Sequence, residues 1–520
     1  MKRTYLIVLS LIFIALAILP LLSLLFGSLF RECTINLDNY IGLIQGRTLQ
    51  LLLQSILIGV AVCFLSTILG LGFGFLLIKS HLPNKALFKV LLLIPLLLPS
   101  YITAVAWVDF FVFLGISSAW IYSRVTAIFV LTLIYTPLAV LIFSAALQNI
   151  NAGLEGAALL ITNYRKVFFT IILPLIKPAV FSSLLLIFIL SISEFSVPAF
   201  LSVDVLTTDI FIQFSAFYNY NVAIAQSSLL ILLCVIGLII ERKLLADTPF
   251  LTVTGKSHHS RLAPVPQATY VPLALAIGYV LFSIIIPLAV LIAQSLAGGR
   301  ENFYKALSYL WVELGQSLLF AITGAAIIAF VGFSFAYLKA RRSYGWIDFM
   351  LMLTFAIPSV VAGIALINYY NTPFSNFIYA TPAIIFIAYL MRFVLVAERI
   401  LNNRLIQLPQ SLEHAASICG AGNYLTLRKI TLPLMSEALM GAFIISFIFC
   451  IGELGTIIMV YPPGTALLPI KIFTIMANAP QSLTSAMCLI VLLFTTSVLG
   501  GILGLWQLIK RARFMVYDGS

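Results

Sequence analysis

Four glutamates in two pairs are the residues best placed to do chemistry. Glu413 lies in a polar stretch, Leu412-Glu413-His414-Ala415-Ala416-Ser417-Ile418-Cys419-Gly420-Ala421-Gly422, that runs on to Leu432-Pro433. Glu155 lies in a worn copy, Leu154-Glu155-Gly156-Ala157-Ala158, that runs on to Leu173-Pro174. Glu194 and Glu453 instead fall late in long apolar segments. An ionisable group at membrane depth is costly and ordinarily faces a cavity or a partner. Two readings of this pair stand side by side. The carboxylate oxygens suit transient contact with a hard cation in transit, or they bond to backbone freed at a helix break. Arg392 and Asp109 also sit in apolar segments but have no matching charge in the other half.

Other chemistries find little support. The cysteines Cys33, Cys63, Cys234, Cys419, Cys450 and Cys488 are scattered without a CxxC pair, so neither a disulfide framework nor a zinc site is expected. His81, His258, His259 and His414 lack metal-ligand spacing. No nucleophile–base–acid set stands out, and there is no Gly-x4-Gly-Lys-Ser/Thr phosphate loop. The chain is therefore expected to be no enzyme and to hold no cofactor of its own.

The elements that carry these residues are apolar. Hydrophobic residues make up 62% of the 520 and charged ones 9%, against roughly 25% charged in a soluble domain. The bilayer is the expected solvent, and spanning segments in it should be helices. Twelve spans can be drawn near 5–29, 50–78, 88–113, 124–147, 168–200, 222–241, 270–295, 312–338, 346–369, 379–398, 429–460 and 484–509. Pro95, Pro99, Pro137, Pro174, Pro178 and Pro358 give reasons for kinks or breaks. The apolar run after Met1-Lys2-Arg3 is too long for a typical signal peptide and reads as a retained first helix.

Charge placement orients the helices. Of the 29 Lys and Arg residues, 22 fall on the side of the N-terminus, six on the other, and Arg392 within a span. By the positive-inside rule this puts both termini and both polar elbows in the cytoplasm. The net charge of +12 is spread over short loops, so no nucleic-acid partner is expected.

The two halves repeat. Gln54-Ser55 returns as Gln316-Ser317, Leu98-Pro99-Ser100 as Ile357-Pro358-Ser359, Leu173-Pro174 as Leu432-Pro433 and Ser193-Glu194-Phe195 as Gly452-Glu453-Leu454, at offsets of 262, 259, 259 and 259. The polar stretch 244–269 divides a first half, 1–243, from a second, 270–520. Six spans in each half make the repeats parallel, related by an axis along the membrane normal, with a path between them. In the second elbow Ser411 is expected to cap a short helix, Glu413 to sit in its first turn, and Gly420 and Gly422 to end it. In the first, Asn151 can cap, and the glycines are missing. A bland interfacial loop helix would fit one elbow. Two at matching places on one face suggest a symmetric docking surface for a soluble partner.

The pattern Glu-x-Ala-Ala, three residues, Gly, then about nine residues and an apolar-x-Leu-Pro resembles the EAA motif of ATP-binding-cassette importer permeases. Glu413, Ala415, Ala416, Gly420, Ile430, Leu432 and Pro433 match it, as do Glu155, Ala157, Ala158, Leu173 and Pro174. The resemblance implies an all-α, type I importer transmembrane domain in a bacterial inner membrane. It implies coupling helices at the two elbows, with Glu155 and Glu413 as docking acids. Two copies of a cytoplasmic ATPase that uses the ATP, and a periplasmic binding protein, would be its partners. Leu190-Ser191-Ile192-Ser193-Glu194-Phe195-Ser196-Val197-Pro198-Ala199, Leu206-Thr207-Thr208-Asp209-Ile210-Phe211 and Phe217-Tyr218-Asn219-Tyr220 look like the ferric-iron importers. That likeness makes Glu194 and Glu453 candidate transient iron ligands. Thiamine permeases are the nearest competitor, with polyamine, sulfate and phosphonate permeases further off. An ion-gradient-driven secondary transporter is the alternative of another class, and would need more acids or histidines in its spans.

Overall fold

The computed structural model describes residues 3–31, 34–35, 46–80, 82, 84–148, 150, 152–244, 270–342 and 345–518. Of the expected linker 244–269, all but Leu244 lies outside them, as do Asn151, Cys33, His81, His258 and His259. Apart from a short antiparallel pairing of Phe30–Arg31 with Thr34–Ile35, the described residues form helices and turns.

Seven helices are single apolar spans: Val8–Gly27, Arg47–Lys79, Arg124–Gln148, Tyr220–Ile240, Tyr270–Ala297, Gly299–Arg341 and Gln481–Leu508. Four more positions hold bent pairs. The twelfth expected span is Ala383–Gln407, a helix made more polar by Arg392, Glu398, Arg399 and Arg404. The bends repeat between halves. Lys85–Leu97 meets Ser100–Phe113 at 93°, and Trp346–Ala356 meets Ser359–Tyr370 at 101°. Tyr164–Leu175 meets Lys177–Ser193 at 64°, and Asn423–Leu434 meets Ser436–Gly452 at 71°.

Proline explains most of this irregularity, because it lacks an N–H and pushes away the carbonyl four residues earlier. Pro99 and Pro358 stand at the N-cap of the helix after each near-right-angle bend. Wide turns of π type at Ile14–Ile18, Phe168–Ile172, Leu281–Ile285 and Leu427–Thr431 precede Pro20, Pro174, Pro287 and Pro433, and absorb the displaced carbonyls. Pro137 does not break its helix. The carbonyl it frees, on Leu133, accepts the Tyr279 hydroxyl at 2.7 Å. Pro20 likewise frees Leu16, which accepts from Tyr370 at 3.3 Å. Both tyrosines come from the opposite half, so each proline also fastens the halves together.

The rest of the packing follows the repeat. Arg47–Lys79 packs on Arg124–Gln148 and Lys177–Ser193, and Gly299–Arg342 packs on Ala383–Gln407 and Ser436–Gly452. Small residues allow close approach, as is common between helices in a bilayer. A β-carbon at Gly70 would overlap the Ala139 methyl, and one at Gly332 would stand 2.9 Å from the Ala397 methyl. The first helix of each half crosses over: Leu19–Leu29 packs on Ser359–Tyr370, and Ile286–Ala297 on Ser100–Phe113. The Gln-Ser echo has a structural cause. Ser55 Oγ accepts the N–H of Leu206 at 2.9 Å, and Ser317 Oγ that of Leu468 at 2.9 Å. Each serine thus caps the start of a helix that follows a break.

Tyr279→Phe should therefore strand the Leu133 carbonyl. The thermal midpoint in detergent should fall by an amount equivalent to about 1–3 kcal/mol. Tyr304→Phe, on an exposed side chain, should leave the midpoint unchanged.

Candidate functional site: two elbows on one face and an acid pair on the dyad

The elbows are two short helices at matching places, Ala152–Leu159 and Gln410–Ile418. Their orientation is the same. Glu155 and Glu413 turn inward, Ala157 and Ala415 face out, and Ala158 and Ala416 are half-buried. The second helix begins two residues earlier than expected, with Pro409 as its N-cap and no side-chain cap, so Ser411 lies inside it. Gly420 ends it in the left-handed region at φ +82°. Ala421 N–H donates to Ala416 O at 2.9 Å and Gly420 N–H to Ser417 O at 3.1 Å, the paired bonds of a Schellman cap. The first elbow has no residue of positive φ and is one residue shorter. It closes with Ile161 and Thr162 both donating to Ala158 O at 3.0 Å. Asn163, in the place of Gly422, then caps the next helix through Lys166 N.

The two acids face the body of the chain. Lys79 Nζ lies 2.9 Å from Glu155 Oε2, with both side chains 1% exposed, and the Tyr164 hydroxyl donates to Oε1 at 3.4 Å. Arg341 donates to Glu413 Oε1 through Nη2 at 3.0 Å and Nε at 3.3 Å. Tyr337 and Thr431 complete that carboxylate at 3.2 and 3.3 Å. Glu155 and Glu413, the expected docking acids, thus turn into the chain. Their charges are used within the chain to tie each elbow to the end of a long helix. Each elbow turns large apolar side chains outward among its polar ones: Leu154, Leu160 and Ile161 on the first, Leu412 and Ile418 on the second. Lys79 and Arg341 were missed in the sequence, yet they stand 262 residues apart. That is also the offset of Gln54-Ser55 and Gln316-Ser317 on the same two helices.

The second pair meets where the halves join. Glu194 and Glu453 each stand just past the last residue of a helix, in extended backbone (ψ 129° and 117°). Glu194 Oε1 accepts Ser196 N–H at 3.0 Å and Glu453 Oε1 accepts Thr456 N–H at 2.9 Å. Each acid therefore covers a free N–H where the chain restarts as a short helix, Ser196–Phe200 or Ile457–Val460. Glu194 also accepts Ser100 Oγ at 3.1 Å and Tyr135 Oη at 3.0 Å. A β-carbon on Gly455 would meet Phe195 at 3.3 Å, and one on Gly452 would meet Pro99 at 3.5 Å. The echoed motifs of both halves thus meet, and Ser193 Oγ donates across the junction to Ala356 O at 3.1 Å. Arg392 donates to Ile357 O at 2.6 Å and Phe355 O at 3.3 Å, covering carbonyls freed at the 101° bend. Asp109 accepts from Ser485 of the other half. Among the described residues, no group of three or more His, Cys, Asp or Glu could hold a metal ion.

Removing one member of a fully buried ion pair costs about 3–5 kcal/mol. Lys79→Met should lower the thermal midpoint and open the first elbow to protease. Lys79→Met combined with Glu155→Gln should recover much of the loss. Arg341→Met should cost less, because that pair is partly exposed (12% and 18%).

Known proteins show the same organisation. The family model described as binding-protein-dependent transport system inner membrane component matches residues 66–247 and again 328–506, once in each half. The chain is 25% identical to the Fe(3+)-transport system permease protein FbpB 2 of Haemophilus influenzae, over 92% of this chain and 94% of that one. It is 25% identical to the putative ferric transport system permease protein FbpB 1 of the same organism, over 81% and 72%. It is 30% identical to the putative 2-aminoethylphosphonate transport system permease protein PhnV of Salmonella typhimurium, over 36% and 77%. With up to eleven apolar spans among the described residues and both repeats matched by the family model, the chain belongs to the family of binding-protein-dependent transport system inner membrane components.

Proposed function

We propose that this chain is the permease of an importer that moves ferric iron across the inner membrane by alternating access, with ATP hydrolysed in partner subunits. The iron reading is carried by the likeness to an Fe(3+)-transport permease along nearly the whole of both chains. The acid pair on the dyad is compatible with it, since hard cations favour carboxylate oxygen. A periplasmic binding protein delivers the substrate to the face opposite the elbows. Both termini and both elbows lie in the cytoplasm, following the bias of 22 to 6 basic residues. The boundaries 1–243, 244–269 and 270–520 divide the chain into half, linker and half.

Two copies of a cytoplasmic ATPase seat one elbow each. The apolar tips at Leu160, Ile161 and Ile418 enter the partner, and exposed apolar side chains beside polar ones suit such contact. Ala157, Ala158, Ala415 and Ala416 keep each helix slim, and Gly420 gives the second its sharp return. Glu155 and Glu413 act from behind, transmitting the motion of the elbow to the Arg47–Lys79 and Gly299–Arg342 helices through the ion pairs. When the ATPases close, the elbows approach and the halves rock about the dyad.

A second reading, transport of an oxyanion, draws on the 30% identity to the phosphonate permease. It would use Arg392 as the counter-charge. Proteoliposomes holding the permease, its ATPase and its binding protein should take up Fe3+ with ATP, and neither thiamine nor 2-aminoethylphosphonate. Uptake of either of those instead, with Fe3+ excluded, contradicts the iron reading. Ile161→Asp with Ile418→Asp should release the ATPase on purification without lowering the thermal midpoint. Retention of the ATPase would contradict the seating.

A further inference from the structure

A cavity of about 400 Å3 opens at the ends of the helices that lie away from the elbows. Pockets for organic ligands run from roughly 300 to 1,000 Å3, so this one can take part of such a molecule. Three elements build it. Ser100–Phe113 gives Trp107, Phe110 and Phe111, and the start of Arg124–Gln148 gives Val125 and Phe129. The wide turn Leu281–Ile285, from the opposite half, gives Phe282. Phe129 stands edge-on to Trp107 at 4.6 Å, and Phe282 lies nearly parallel to it at 6.0 Å. No charged residue lines the space, so it does not suit a hydrated ion. An apolar cavity does not hold water either, and left empty its walls forfeit dispersion contacts.

Two further observations say what fills it. Trp107 is 1% exposed, and its indole N–H has no hydrogen-bond partner. A buried indole ordinarily finds an acceptor. The Thr126 hydroxyl on the same wall is already used, donating to Trp120 O at 2.8 Å. Next to Val125 at the rim stands Arg124, exposed and without hydrogen bond or ion pair among the described residues. Phe129, whose ring meets Trp107, lies five residues along the helix from Arg124, a rise of about 7.5 Å. A cation, an apolar slot and a buried donor between them match the phosphate, acyl chain and ester carbonyl of a phospholipid. The other half lacks this set. Leu366, Ala388 and Ala383 stand 259 residues after Trp107, Phe129 and Arg124, and Ala15 holds the place of Phe282 in the matching wide turn. There Tyr370, in the place of Phe111, donates across the seam to Leu16 O.

We propose that the cavity binds an anionic membrane phospholipid, with one acyl chain among the rings, an ester carbonyl on the Trp107 N–H and the phosphate at Arg124. The inference depends neither on the cargo nor on the seating of the ATPase. The full chain, assembled with its ATPase and stripped of lipid in maltoside detergent, can be titrated with phosphatidylglycerol and the bound lipid counted by native mass spectrometry. Val125→Trp, on an exposed side chain at the rim, should block the slot and remove one bound lipid. Leu57→Trp, likewise exposed but on helix Arg47–Lys79, should remove none. Arg124→Gln should weaken binding about fivefold, and Trp107→Phe, which keeps a ring and loses the donor, about threefold. Phosphatidylglycerol should also raise the thermal midpoint of the wild type more than that of Val125→Trp. Equal lipid counts in the wild type and Val125→Trp would overturn the inference. So would diacylglycerol, which lacks the phosphate, binding as tightly as phosphatidylglycerol. Displacement of the lipid by inorganic phosphate alone would show a free-anion site at Arg124 and equally contradict it.

Discussion

A bilayer supplies no water to a broken helix, so every backbone group released at a break must find a partner inside the protein. Among the described residues this chain breaks four spans and inserts four wide turns, and most of its notable polar residues answer that demand. Glu194 and Glu453 cover N–H groups, Arg392 covers carbonyls, Ser55 and Ser317 cap new helix starts, and Tyr279 and Tyr370 take the carbonyls that prolines free. The breaks at Pro99, Pro358, Glu194 and Glu453 lie where the halves meet. The partners that satisfy them are therefore also the lining of any path there. The breaks and any path therefore draw on one set of residues.

All four glutamates accept hydrogen bonds within the chain. Glu155 and Glu413 are consumed by Lys79 and Arg341, and so are fixtures that hold the elbows in place. Glu194 is consumed by its break and by Tyr135. Glu453 alone of the four keeps an oxygen in reserve. The halves are alike in backbone to within a few degrees at the bends (93° and 101°, 64° and 71°), but they differ in side-chain chemistry. Duplicated backbone relates the halves, and divergence at single positions such as 135 and 394 gives the two sides different hydrogen bonding.

Most of the fold was legible because its signals are long. Apolar runs, proline positions and a constant offset survive uncertainty about any one residue, and they placed twelve helical positions in two repeats. The elbows were found because acid, alanines and Leu-Pro keep a fixed spacing. The direction in which an acid points was not legible. An inward and an outward Glu have the same neighbours in sequence, and the deciding cation lies 76 or 72 residues away. Ser411 was mistaken for a cap because Pro409, already locked in φ, can start the helix without a side-chain acceptor. Pro137 looked like a kink, since nothing near it announces that Tyr279 will take up its freed carbonyl.

The central claim is that the elbows move together as rigid extensions of the long helices and so rock the halves. Spin labels on Leu160→Cys and on the exposed native Cys419, with Cys33 replaced by Ser, would report the elbow-to-elbow distance by pulsed dipolar spectroscopy in the assembled complex. The account predicts a shorter distance with a non-hydrolysable ATP analogue than without nucleotide, and a return on its removal. A distance distribution that nucleotide does not change, in a complex that transports, would contradict it.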